Sequence, residues 1–145
     1  MVEKAEVADF PGRGQYRVFL SYAHEDREWV SDFAQALHDE GVSDWFDAFD
    51  IQPGERWQDR IEEALRTSRT FVVVLSAHSI QRPWTLFELG AAVADRKQII
   101  PVITDDTTPE QVPLLLRKFQ FLRESSARKA GQRVAQAIHH LQLAA

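Results

Sequence analysis

The 145-residue chain contains no cysteine and no long apolar run. The absence of cysteine excludes a disulfide framework, a cysteine nucleophile and thiolate metal sites, and it is compatible with a reducing compartment. The longest apolar stretches, such as "FVVVL" at 71–75, are far too short to span a bilayer. The first ten residues, "MVEKAEVADF", are partly acidic and lack the apolar segment of a secretory signal. We therefore expect a cytoplasmic protein with no membrane partner.

An excess of basic charge is also missing. The net charge is −5 and the isoelectric point is about 5.5, so the composition favours neither nucleic acid nor an anionic membrane as a partner. A hydrophobic fraction of 44% and a charged fraction of 27% are typical of a soluble globular protein. We assign residues 1–15 to a tail or linker and residues 16–145 to one domain, which is long enough to bury a sizeable core.

Short apolar segments alternate with amphipathic segments along the chain. The segment at 70–76 is apolar on both faces, as a central strand of a parallel sheet should be. Asp26 is placed to cap a helix that runs to Glu40, and Gly41 is placed to end it. The full pattern predicts strands at 16–22, 42–47, 70–76, 98–104 and 119–122, and helices at 26–40, 57–68 and 125–143, with a further helix around Glu88.

This alternation predicts an α/β fold with a parallel sheet covered by helices on both faces. Five strands of this length favour a flavodoxin-like doubly wound sheet in the order 2-1-3-4-5. Ligands of such sheets bind beyond the carboxyl ends of the strands, at the switch point between strands 1 and 3. Here those ends are Ser21–Tyr22 and Ser76–Ala77.

Several common occupants of this fold do not match the sequence. A receiver domain needs an aspartate at the end of strand 3, where this chain has Leu75 and Ser76. The loop after strand 1, "SYAHED", is not a flavodoxin phosphate loop, and the glycine-rich dinucleotide and Walker fingerprints are absent. The five histidines are scattered without metal-ligand spacing, so we expect no metal site.

One carboxylate, Glu88, interrupts an otherwise apolar or small stretch from Trp84 to Ala94. A glutamate is seldom fully buried unless something pairs with it. Glu88 lies four residues after Trp84, so a helix places the two on one side. Two interpretations remain open from these residues alone. Glu88 is either a functional group near the switch point or a helix charge that reaches solvent or pairs with Arg82.

The order of four motifs resembles the Toll/interleukin receptor (TIR) domain family. "FLSY" at 19–22 is similar to the first box of the family, and "DIQPG" at 50–54 is similar to the second box, the BB loop after strand 2. "VVLS" at 73–76 and "WTLFE" at 84–88 resemble the end of strand 3 and the W-x-x-x-E element of the enzymatic members. The resemblance extends from about Tyr16 to Leu141.

The resemblance implies an enzyme that cleaves the nicotinamide–ribose bond of NAD⁺ by hydrolysis or cyclisation, in an immune or defence signalling setting. It makes Glu88 the catalytic residue and implies that Trp84, Tyr22, Asp47 and Trp57 bind substrate. NAD⁺ is then the substrate, and no cofactor is expected. The open alternatives are strand-end packing for Tyr22, a loop cap for Asp47 and a core position for Trp57.

The resemblance also implies assembly through the BB loop. Its candidate self-association residues are Ile51, Pro53 and Gly54, and the expected partners are other TIR domains, with a homo-oligomer as the active form. Two alternatives stay open. The loop can instead pack on its own domain, and the chain can be a non-enzymatic scaffold that acts only by binding itself or partner TIR domains.

Overall fold

A parallel five-stranded sheet organises the chain. The computed structural model describes residues 18–43, 45–47, 57–80, 90, 92, 97–112, 114–117 and 119–144. The strands are β1 (Val18–Ser21), β2 (Trp45–Asp47), β3 (Thr70–Leu75), β4 (Gln98–Ile103) and β5 (Leu122–Arg123). Their order in the sheet is β2-β1-β3-β4-β5, and every pairing is parallel. The predicted doubly wound α/β fold is confirmed.

Three helices connect or follow these strands within the described residues: α1 (Arg27–Asp39), α2 (Trp57–Thr67) and α3 (Ala127–Ala144). A 3₁₀ turn at His24–Asp26 precedes α1, and two more, at Pro109–Gln111 and Leu114–Leu116, lie between β4 and β5. The predicted helix around Glu88 lies mostly outside the described residues, although Gly90 and Ala92 are helical.

The two faces of the sheet hold separate core clusters, because side chains alternate along a strand. On one face Phe19, Phe71 and Val73 pack with α2 through Ala64 and Leu65. The rings of Phe19 and Phe71 stack with their centroids 5.3 Å apart. On the opposite face the neighbouring residues of the same strands pack with α1 and α3. The strand residues of this cluster include Val18, Leu20, Val72 and Val74, and its helix residues include Phe33, Leu37, Val134 and Ile138. All six residues of β3 are buried, as predicted for the central strand.

Helix α1 ends at a glycine that adopts a conformation few other residues accept. Gly41 has φ of +90°, in the left-handed region that favours glycine. The Val42 N–H donates to the Leu37 carbonyl at 2.9 Å, and the Gly41 N–H donates to the His38 carbonyl at 3.0 Å. These bonds satisfy carbonyl groups that the end of a helix leaves open. The predicted stop at Gly41 is confirmed.

Two predicted details are wrong. Asp26 occupies the N-cap position of α1 but makes no side-chain cap hydrogen bond, because its carboxylate accepts a hydrogen bond from the distant Ser76 instead. The last strand is Leu122–Arg123 rather than 119–122. Phe119 donates its N–H to the Leu116 carbonyl of the preceding turn, and Phe119 and Phe121 pack against the core on the α2 face.

Helices α1 and α3 approach closely at Gly131. A β-carbon at this position would lie 2.5 Å from the Phe33 carbonyl oxygen and 2.7 Å from the Ala36 β-carbon. Both neighbours belong to α1, and one of them is backbone, so neither can move cheaply. The absence of a side chain at Gly131 therefore sets the distance between the two helices.

We expect Gly131→Ala to lower the free energy of unfolding, measured by urea denaturation. Overpacking a well-packed site costs about 1–3 kcal/mol, and the better helix propensity of alanine offsets up to about 1 kcal/mol of it. Gly90→Ala is the matched control. A β-carbon there meets no atom of the described residues within 4 Å, so its unfolding midpoint should stay the same or rise. Equal midpoints for the two variants would contradict the close approach at Gly131.

Candidate functional site

The carboxyl ends of three neighbouring strands, β2, β1 and β3, lie at one edge of the sheet. Ser21, the last residue of β1, is in register with Val73 of β3, and Leu20 is in register with Asp47 of β2. The residues that follow β1 and β3 therefore lie at the predicted switch point. This edge is where a doubly wound sheet offers room for a ligand.

The structure describes the side chain of only one predicted site residue, Tyr22, and the backbone of two more, Asp47 and Trp57. Tyr22 directly follows β1, is half-buried and packs against the core on the α1 and α3 face. The backbone of Asp47 ends β2 at the same edge, and Trp57 begins α2. The structure thus brings the backbones of Tyr22 and Asp47 to neighbouring strand ends. Their roles toward a substrate stay predictions.

The remaining predicted residues lie outside the described part of the chain. They are the catalytic Glu88, its neighbour Trp84, and the loop residues Ile51, Pro53 and Gly54. Their assignment continues to depend on the sequence motifs.

A hydrogen-bonded turn at Ser76–Ile80 leaves the end of β3 and leads into the segment that contains Trp84 and Glu88. The Ser76 N–H donates to Ser79 Oγ at 3.0 Å, and Ser79 Oγ donates to the Val74 carbonyl at 2.8 Å. The N–H groups of His78 and Ser79 both lie within reach of Ser76 Oγ, at 3.1 Å and 3.3 Å. Ser76 and Ser79 are 1% and 0% exposed, so the polar groups of this turn are satisfied within the protein.

Two carboxylates contact this turn, one from the loop after each of the two strands that flank β3. Asp26, from the loop after β1, accepts a hydrogen bond from Ser76 Oγ at 2.5 Å. Asp106, from the loop after β4, accepts one from the Ala77 N–H at 3.2 Å. Asp106 Oδ1 also accepts from the hydroxyls of Thr104 at 2.6 Å and Thr107 at 3.2 Å. The loops after β1, β3 and β4 are therefore linked at the edge of the sheet where the site is expected.

The two carboxylates differ in how readily they ionise. Burial raises the pKa of Asp26 above its usual value, and the negative charges of Asp106 and Glu25 add to this; they outweigh the Ser76 hydrogen bond and the charge of His78. Burial also opposes ionisation of Asp106, but the hydrogen bonds from Thr104, Ala77 and Thr107 prevail and lower its pKa. Donors aimed at a charged carboxylate favour its ionised form.

Sequence reasoning missed this linked pair of carboxylates. The position of Asp26 before an amphipathic segment predicts a helix cap, and no local signal marks a partner 50 residues away. Asp106 left a clearer signal. The run "TDDTT" at 104–108 is rich in side chains that bond nearby backbone and hydroxyl groups.

Neither a metal cluster nor a membrane-spanning helix is found in the part of the chain that the structure describes. In these residues no group of three or more histidine and carboxylate side chains is arranged to hold a metal ion. Within the same part of the chain, no helix has the length and apolar character needed to cross a membrane.

Comparison with known proteins gives consistent matches. A family model described as the TIR domain matches residues 18–138. The chain is similar to the 2′ cyclic ADP-D-ribose synthase AbTIR of Acinetobacter baumannii, with 37% identity over 93 residues, 61% of this chain and 35% of that protein. It is also similar to the NAD(+) hydrolase TcpA of Theionarchaea archaeon, with 38% identity over 93 residues, 61% of this chain and 28% of that protein. The chain thus spans about a third of the length of these curated relatives.

A solved structure extends the match over the whole fold. The TIR domain of the Toll-related receptor TRR-2 from Hydra magnipapillata superposes with a TM-score of 0.68 and 26% identity. The match covers 90% of this chain and 99% of that one. The sheet order and the arrangement of the strand ends described above are therefore those of a known domain architecture.

The two carboxylates should affect stability with opposite dependences on pH. Because the pKa of Asp26 is raised in the folded protein, its ionisation lowers stability as the pH rises from the usual pKa of aspartate to the raised value. Asp26→Asn should therefore be more stable than the wild type near neutral pH, and its advantage should vanish below the usual pKa of aspartate. The lowered pKa of Asp106 means that its ionised form supports folding above the usual pKa. Asp106→Asn should be less stable near neutral pH, with the deficit vanishing as the pH falls through the lowered value.

Urea unfolding of the wild type and both variants, from about pH 3 to pH 7, checks this pair of predictions. Each variant serves as the control for the other, since both replace an aspartate by asparagine at the same turn. If the free energy of unfolding changes in the same direction and with the same pH dependence in both variants, the described electrostatics are contradicted.

Proposed function

This chain belongs to the TIR domain family, and from that membership we propose that it cleaves the nicotinamide–ribose bond of NAD⁺. The observation that supports the proposal most strongly is the similarity to two proteins named for this chemistry, at 37% and 38% identity. The W-x-x-x-E element, with Trp84 and Glu88, gives the chain a residue of the required type at the required place in the motif.

The chemistry of the bond explains why a single carboxylate suffices. The nicotinamide ring of NAD⁺ is cationic, so when the bond to ribose breaks, the bonding electrons neutralise the ring and no general acid is needed. Positive charge develops on the ribose, as in the oxocarbenium-like transition state of glycoside hydrolysis. A carboxylate beside that ribose stabilises the charge and accepts hydrogen bonds from its hydroxyls. We assign this role to Glu88.

Tyr22, Asp47, Trp57 and Trp84 complete the proposed substrate site. The positions of the Tyr22 and Asp47 backbones at adjacent strand ends support a cleft at this edge. Trp84 and Trp57 would offer aromatic faces to the nicotinamide or adenine rings. The proposal requires no cofactor.

The proposal covers both hydrolysis and cyclisation. In the first, water attacks the ribose carbon that nicotinamide leaves and gives ADP-ribose; in the second, a hydroxyl of the same molecule attacks and gives a cyclic isomer. Relatives named for each reaction match this chain at similar identity, so the shared step is nicotinamide release. Chromatography of the products distinguishes the two outcomes.

We further propose that activity depends on association with other copies of the chain through the loop around Ile51, Pro53 and Gly54. Apolar residues beside a Pro-Gly turn are suited to a contact patch, and the family resemblance assigns this loop to self-association. A non-enzymatic scaffold would use the same loop without releasing nicotinamide, so an assay of nicotinamide release separates the two functions. A cytoplasmic location and a role in immune signalling stay predictions.

We expect Glu88→Gln to reduce nicotinamide release by at least about 10²–10³-fold, the usual effect of removing an electrostatic contact made in the transition state. The substitution keeps the size of the side chain and removes only its charge. The measurement is nicotinamide release from NAD⁺ by purified protein, with circular dichroism to verify folding.

Glu62→Gln is the matched control for this variant. Glu62 is exposed on α2, so the same chemical change there should leave the activity unaltered. Full activity in Glu88→Gln would refute the catalytic assignment, and an inactive wild type at high concentration would favour the scaffold function.

We expect the activity per protomer to rise with protein concentration, because association follows mass action. Ile51→Asp and bulky replacements of Gly54 should remove this rise without changing the melting temperature. Nicotinamide release is measured across a wide dilution series, with particle size followed by light scattering. Constant activity from a species that stays monomeric throughout would contradict the assembly proposal.

A further inference from the structure

The hydroxyl of Ser76 uses its whole hydrogen-bonding capacity at the switch point. A serine hydroxyl has one donor proton and two acceptor lone pairs. Ser76 Oγ lies 3.1 Å from the His78 N–H and 3.3 Å from the Ser79 N–H, and these donors occupy the acceptor side. Its proton is then directed to Asp26 Oδ2, at 2.5 Å. Ser76 is only 1% exposed, so this hydrogen bond is shielded from solvent.

This hydrogen bond connects two parts of the chain that the sheet alone does not connect. Asp26 ends the 3₁₀ turn that follows β1, and Ser76 begins the turn that follows β3. Pairing of β1 with β3 ends at Ser21 and Val73, before either turn begins. Beyond that point, the Asp26–Ser76 bond holds the two loops at the switch point together.

The opposite side of the same turn is held from β4. The Ala77 N–H donates to Asp106, whose carboxylate is itself oriented by Thr104 and Thr107. The Thr104 N–H donates to the Leu75 carbonyl at 3.1 Å. With this side anchored, the hydrogen bond from Ser76 to Asp26 contributes to the position of the turn relative to β1.

We propose that Asp26 is a positioning residue for NAD⁺ cleavage, acting through Ser76 on the turn that leads into the segment containing Trp84 and Glu88. The inference rests on the proposed function, since Glu88 is the group whose placement matters. Reactive groups must be held close to their productive geometry, and a displacement of about 1 Å can cost about 10²-fold in rate. Asp26 itself need not touch the substrate.

The experiment compares four variants by steady-state nicotinamide release: Asp26→Ala, Ser76→Ala, the double variant, and Asp26→Asn. Asp26→Ala and Ser76→Ala should each lower kcat by about ten- to a hundredfold, with KM changed less than about twofold because the NAD⁺-binding groups remain. The double variant should lose no more than Ser76→Ala alone, since Ser76→Ala already removes the bond to Asp26. Asp26→Asn keeps an oxygen that accepts from Ser76, so it should retain most of the wild-type kcat.

Two further readouts separate positioning from a loss of stability. Asp32→Ala removes an exposed aspartate of α1 and should leave kcat unchanged. Amide hydrogen exchange at Ala77, His78 and Ser79 should be faster in Asp26→Ala and Ser76→Ala than in the wild type and Asp26→Asn. All assays are run well below the melting temperature of the least stable variant, so that only folded protein is compared.

The outcomes distinguish this inference from the function on which it rests. An active wild type whose kcat is unchanged in Asp26→Ala would overturn the positioning role alone. Equal losses of kcat in Asp26→Asn and Asp26→Ala would also overturn it, because the retained acceptor would then have no effect. A wild type that releases no nicotinamide at any concentration would overturn the proposed function, and the positioning role with it.

Discussion

The complete burial of β3 is the constraint on which the rest of this structure depends. All six residues from Thr70 to Leu75 are buried, so both faces of the strand need an apolar cover. Helix α2 provides it on one face, and helices α1 and α3 provide it on the other. Parallel neighbours on both sides satisfy the backbone of β3, and parallel pairing requires crossover connections that carry helices over the sheet. The doubly wound fold follows from covering this one strand.

The same constraint creates the site. Parallel strands end at the same edge, so the loops after β1, β3 and β4 have to meet where the apolar core stops. The Ser76 hydroxyl there is buried beyond the reach of the sheet's own hydrogen bonds, and buried polar groups need partners. Asp26 accepts the hydrogen bond of this hydroxyl, and Asp106 accepts one from the exposed Ala77 N–H. The polar network at this edge is thus a consequence of the fold, and it borders the cleft in which we place NAD⁺.

The candidate site was predictable to the extent that its residues are close together in the sequence. Trp84 and Glu88 are four residues apart in the sequence, and Pro53 and Gly54 are adjacent, so short motifs identify them. Tyr22 and Asp47 were predicted at strand ends, and the register of β1 and β2 brings those ends together. Asp26 shows the limit of local reasoning. Its position before a helix predicts a cap. In the tertiary structure its carboxylate instead accepts a hydrogen bond from the buried hydroxyl of Ser76, which is distant in the sequence.

The sequence by itself determined the class of fold, the order of its strands, the end of α1 at Gly41 and the family to which the chain belongs. These properties follow from local periodicity, from turn residues with special backbone freedom and from motifs in a fixed order. Only the tertiary structure decided that Asp26 contacts Ser76, that Phe119 and Phe121 pack on the core instead of forming the last strand, and that Gly131 allows α3 to approach α1. The reason is physical: hydrogen bonds and close contacts between distant segments depend on the relative positions of packed elements, and no local pattern encodes those positions.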